Sequence, residues 1–192
     1  MNTLRRTLLV MLAATIAACS TSGPLVEEKL DPATGVTVIW SSAPVILYSD
    51  NSSYAAHARD YLYLGPVAVN RMGEYSYYLW LGIWSTMRDD VRATQRDGFE
   101  SIIVFADGEP LPLDLVGWTV DAIGVSEPLY NKPVASAADA YYRVTMDQIR
   151  LIAEARDIEI RAGTARPTSY LPWDQQGAAG ASIRAFVDRA YE

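Results

Sequence analysis

The stretch EYSYYLWLGIW, residues 74–84, constrains the fold more than any other part of this chain. Written as a strand, one face carries Tyr75, Tyr77, Leu79, Leu81 and Ile83, and the other carries Ser76, Tyr78, Trp80, Gly82 and Trp84. A strand with one wet face alternates apolar with polar residues, but this one is apolar or aromatic on both. The preceding segment does the same, with Tyr61, Tyr63, Val67 and Val69 opposite Leu62, Leu64 and Ala68. Arg71-Met72-Gly73 folds the two runs into a long hairpin, and Gly65-Pro66 predicts a bulge or an edge position within it. Two explanations fit. The hairpin is central, covered by a sheet partner and by C-terminal helices. Alternatively, Tyr78, Trp80 and Trp84 form an exposed patch for a partner, glycan or lipid, since aromatic rings offer large contact area with few rotors.

Other short β-rich runs surround the hairpin. VTVIW (36–40) and VILY (45–48) are separated by Ser-Ser-Ala-Pro, and SIIVFA turns through Asp107-Gly108 into EPLPLDLVGW. Asp-Gly suits a two-residue turn with positive φ. The alternating Pro110 and Pro112 place their strand at a sheet edge. In the C-terminal third, residues 139–144 read as a strand, and Thr145 with Gln148 has capping-box spacing. Met146, Ile149, Ile152 and Ala153 then share one helical face, and DIEIR (157–161) alternates as a half-buried strand does. Asp174 reads as the N-cap of a last helix packing through Ala178, Ala181, Ala185, Phe186 and Tyr191. The expected fold class is α+β: mainly an antiparallel β-sheet or small β-sandwich, with two helices in the C-terminal third.

The first twenty residues, MNTLRRTLLVMLAATIAACS, hold the only cysteine of the 192-residue chain. Arg5 and Arg6 precede an apolar run ending at Ala18, too short for the roughly 20 residues of a membrane span. A basic start, a short apolar core and small residues read as an export signal. An ordinary secretory signal cut after Ala18 is one form; the arginine pair also faintly suggests a twin-arginine signal. Ile16-Ala17-Ala18-Cys19 resembles the lipobox of bacterial lipoproteins. That resemblance covers the first 19 residues and implies a diacylglycerol on the Cys19 sulfur, cleavage before Cys19 and acylation of the new N-terminus. Ser20, where such lipoproteins carry Asp if kept at the inner membrane, implies passage to the outer membrane. The organisation expected is a signal peptide over 1–18, a lipidated tether over 19–35 and a single globular domain over 36–192.

Net charge is −7, and without the two signal arginines it becomes about −9. Phosphate recognition needs a Lys/Arg footprint, so nucleic acid is a poor match. The single histidine, His57, and the absence of a second cysteine rule out the usual Cys/His zinc sets. No Gly-x-Ser-x-Gly elbow or phosphate-cradling glycine loop is present. Asp89-Asp90, flanked by Arg88 and Arg92, reads as a solvated loop. The sequence calls for no cofactor, no metal and no catalytic residue. The chain resembles the small lipoproteins of Gram-negative envelopes, which implies a lipid-anchored binding or scaffolding module on the periplasmic face of the outer membrane. Its expected partners are the membrane, through Cys19, and an envelope protein. The alternatives are an envelope-polymer hydrolase using paired carboxylates and an accessory subunit of a secretion or assembly complex.

Overall fold

Strand follows strand along most of this chain, and the pairing between them decides its shape. A computed structural model describes residues 24–50, 58–86, 96–163, 167–173 and 178–190, with backbone only at 178 and 179. The strands are β1 (Val26–Asp31), β2 (Val36–Ser41), β3 (Val45–Asp50), β4 (Arg59–Arg71), β5 (Glu74–Ser85), β6 (Ser101–Ala106), β7 (Glu109–Gly117), β8 (Ala138–Val144), β9 (Ile158–Ala162) and β10 (Thr168–Pro172). Helix α1 (Met146–Glu154) lies between β8 and β9, and α2 (Ala178–Ala190) follows β10. Among the described residues no helix is long and apolar enough to cross a membrane.

The sheet is a closed barrel of eight strands, β4-β3-β10-β9-β6-β7-β8-β5, with β5 returning to β4. This corrects the α+β sheet or sandwich expected from sequence: the molecule is mostly antiparallel β, and its two short helices leave it 17% helical. Closure depends on pairs far apart in the chain, such as Leu81 with Ala140 and Leu47 with Pro172. No local turn encodes such pairs. An eight-stranded barrel is just wide enough for side chains to fill. Leu47, Leu62, Leu64, Leu81, Val104 and Tyr142 point inward at 0% exposure. The Tyr142 hydroxyl donates to the Phe99 carbonyl at 2.6 Å, so this inward ring is paired.

Strands β1 and β2 extend the sheet beyond the ring. Strand β4 pairs with β5 along its whole length, while its other edge is shared: Arg59–Leu64 pair with β3 and Val67–Asn70 with β2. Pro66 stands where the edge changes partner. There it removes no ladder donor, and the register runs unbroken through Gly65↔Trp80 and Pro66↔Leu79. The bulge or sheet-edge position expected at Gly65-Pro66 is instead a gap between two partner strands. Residues 26–31, read as tether, form β1; four of its six residues are exposed, so an edge strand has the composition of a linker.

Several local readings are realised. Asp107 (φ 50°) and Gly108 (φ 84°) form the turn between β6 and β7, and Met72 (φ 53°) and Gly73 (φ 91°) the one between β4 and β5. The sheet-edge position expected for the strand of Pro110 and Pro112 is not found: β7 lies between β6 and β8 in the closed ring. Its prolines are accommodated because their half of the strand pairs only with β6, while β7 meets β8 at Leu115 and Gly117. Helix α1 begins with a complete capping box: Thr145 Oγ1 accepts from Gln148 N at 3.1 Å, and Gln148 Oε1 accepts from Thr145 N at 2.9 Å. Ile149 and Ile152 are fully buried, as are Ile183 and Phe186 of α2, and all four join the barrel core. Arg184 of α2 donates to the Ala153 carbonyl in the last turn of α1 at 3.2 Å. Asp174 and Tyr191 lie outside the described residues.

Met72 is fully exposed in a left-handed conformation that methionine tolerates poorly and asparagine well. Met72→Asn is expected to stabilise the protein by about 0.5–1 kcal/mol, read as a shift in the urea midpoint at unchanged slope.

Candidate binding sites

The outer face of the β4–β5 hairpin is covered by residues 118–137, which pass across β2, β4, β5 and β8 as a strap. Val36, Val38, Trp40, Val67, Val69, Tyr78, Trp80 and Tyr141 meet Val120, Ile123, Val125 and Tyr130 in a second core. Its centre is a ring pair: Trp80 and Tyr130 stack at 4.2 Å and 9°. Two glycines make room for them. A Cβ on Gly65 would stand 2.2 Å from the Tyr130 hydroxyl, and one on Gly82 would stand 2.7 Å from the Trp80 ring. The Tyr130 hydroxyl donates to the Pro66 carbonyl at 2.9 Å, in the gap between β2 and β3. Burial pushes that hydroxyl well above the ordinary tyrosine range. Trp80 Nε1 donates to Asp139 Oδ1 at 3.1 Å, and Lys132 of the strap pairs with the same carboxylate at 2.7 Å.

The strap is clasped to the β1–β2 hairpin by Asp31. Its carboxylate accepts from Ser126 N at 2.6 Å, Ser126 Oγ at 2.7 Å and Ala33 N at 3.0 Å. The Ser126 backbone bond, with the Ser126 hydroxyl next, holds the Asp31 carboxyl far below the usual carboxylate range. A folded-state pKa below the unfolded one means stability that is complete above about pH 4 and is lost as pH falls through the folded value. Asp31→Asn should therefore lower Tm at pH 7, with the gap to wild type narrowing as pH falls from about 4 toward 2. A gap that stays constant over that range would contradict the assignment.

Beside this clasp a cleft of about 310 Å³ opens between β1 and the strap. Val38, Trp40 and Leu129 give it apolar lining, and Glu27, Lys29, Asp31 and Glu127 give it charge. Lys29 pairs with Glu127 from wall to wall, both side chains more than half exposed. A concave site with an aromatic lining and a few convergent polar groups is the usual form of a ligand pocket, and this volume is at the small end of the range. Three carboxylates against one lysine suit a positively charged group on an apolar body.

A second aromatic group lies on the barrel's outer surface where β3 ends and β4 begins. Tyr61 and Trp84 stack at 4.6 Å and 13°, and Tyr63 meets Trp84 edge-on at 6.2 Å. Trp173 packs edge-on against Tyr48 at 5.2 Å, and its amide donates to the Ile46 carbonyl at 2.8 Å. The Arg59 guanidinium lies 5.2 Å from the Tyr48 ring and 5.0 Å from the Trp173 ring, and pairs with Asp50 at 2.9 Å. Trp173 is 52% exposed. Trp84 Nε1 is buried and has no hydrogen-bond partner among the described residues.

A third, wide-open groove of about 590 Å³ carries Asp107, Glu109, Glu154 and Asp157. Asp107 is an acceptor there for the Arg156 and Asp157 amides, both at 2.9 Å, so it fixes the chain entering β9. Among the described residues no group of three or more His, Cys, Asp or Glu side chains could hold a metal ion.

The three aromatic residues singled out from sequence separate in the structure. Tyr78 (5% exposed) and Trp80 (1%) belong to the second core, with Arg143 donating to the Tyr78 hydroxyl at 3.1 Å. Trp84 is half-buried in the outer aromatic face. Cys19, His57 and Asp89-Asp90 lie outside the described residues. The cleft was not legible beforehand, because one wall is β1 and the other is residues 125–131 of the strap, which form neither helix nor strand. No family model matches the chain, and no curated protein or solved structure matches it significantly.

Proposed function

We propose that this chain is a lipid-anchored protein of the bacterial cell envelope, held through Cys19 at the periplasmic face of the outer membrane, that works as a binding module. The lipobox-like Ile16-Ala17-Ala18-Cys19 supports the anchor. The observation that carries the binding reading is the cleft over Trp40, with its apolar lining and opposed Lys29 and Glu127. The barrel interior is occupied by core side chains, which favours the outer surface as the place for binding. A partner presenting a cationic group on an apolar stem complements the cleft in both shape and charge.

The test is a photo-crosslinking residue at Leu129 in cells, with one at Glu109 in the acidic groove as the control. A single defined adduct from position 129, weakened by Glu127→Lys, supports the reading. No adduct from 129, or the same adducts from both positions, contradicts it.

A further inference from the structure

Strands β2 and β3 lie end to end along β4, and β1 runs antiparallel to β2. The first residues of β1 are therefore on the β3 side: Val26 pairs with Ser41, and the Leu25 and Pro24 carbonyls accept from Ser42 N at 2.9 Å and Ser42 Oγ at 2.6 Å. Followed backward from Val26, β1 points along β3 toward the end of the barrel that carries Tyr48, Arg59, Tyr61, Trp84 and Trp173. The five Cα-to-Cα steps from Pro24 back to Cys19, through four intervening residues, reach at most about 18 Å. From the level of Ser42 to that of Tyr48 is a similar distance, about 20 Å at the rise of a strand.

We propose that the outer aromatic face is a membrane-docking surface, seated in the interfacial region of the bilayer that holds the Cys19 acyl chains. This rests on the anchoring reading above. A short tether brings the bilayer to the end of the barrel toward which the start of β1 points. Tryptophan and tyrosine favour the water–lipid boundary, where an amphipathic ring has one wet and one apolar side. Arg59 can keep its guanidinium at headgroup level while its stem lies along the rings. The half-exposed Trp173 then inserts first. The cleft over Trp40 lies on the β1–β2 extension and shares no lining residue with this face.

The full chain, purified from membranes, is reconstituted in phosphatidylethanolamine–phosphatidylglycerol vesicles containing brominated phosphatidylcholine. The acyl mass on Cys19 is measured on the same sample. An acylated chain whose fluorescence is quenched, with at least half of that quenching absent in Trp173→Phe, is the expected result. Trp173 is exposed, so the variant keeps the fold, which circular dichroism verifies. An acylated chain with quenching equal in wild type and Trp173→Phe overturns the docking and leaves the anchor intact. A chain without the acyl mass overturns the anchor and the docking that depends on it.

Discussion

Trp80→Ala should lower the stability of this protein by about 3–5 kcal/mol, the range for removing a buried large aromatic. The ring is 1% exposed and stacked on Tyr130, so its loss leaves the strap without its main contact on the barrel. Asp139 loses its indole donor, leaving Lys132 as its side-chain partner among the described residues. Trp80→Phe keeps most of the apolar contact but removes the hydrogen bond, and about 1–2 kcal/mol is expected. Urea unfolding at constant slope reads both. A Trp80→Ala variant as stable as wild type would mean that residues 118–137 do not pack on the outer face.

Phe186→Ala should cost a similar amount, about 3–5 kcal/mol. Phe186 is fully buried and shares one core with Ile183, Ile149, Ile152 and the barrel side chains. Helix α2 is otherwise tied down by bonds at its margin: Ser182 Oγ to the Ala43 carbonyl at 2.8 Å, Arg184 to the end of α1, and Arg189 to Glu28 at 2.5 Å. The last is an exposed ion pair of little weight. If Phe186→Ala costs less than about 1 kcal/mol, α2 does not close the core.

Much of the local structure was legible in the sequence. Asp107-Gly108, the Thr145–Gln148 box and the β4–β5 hairpin follow from turn chemistry, capping and periodicity acting over a few residues. The double-sided apolarity of β5 also predicted burial on both faces. It did not say what supplies the second layer, which is the strap rather than the C-terminal helices. Trp80 and Trp84 share one face of β5, yet Tyr130 covers the first and the second stacks on Tyr61. That difference depends on where a distant segment crosses the strand. Barrel closure was hidden for the same reason, because the β5–β8 and β3–β10 pairings have no local signature. Strand β1 was missed because an exposed edge strand, Glu-Glu-Lys among its residues, has little hydrophobic pattern to read. With β1 unseen, the cleft and the side of the barrel on which β1 begins were unseen too.

Both functional proposals depend on a covalent group at Cys19, and the most direct measurement is the mass of the N-terminal peptide of the chain purified from membranes. The expected peptide begins at Cys19 and carries a diacylglycerol with a further acyl chain, and it is absent in Cys19→Ala. A peptide cut after Ala18 with a free thiol, or an uncut N-terminus in the wild type, would contradict it.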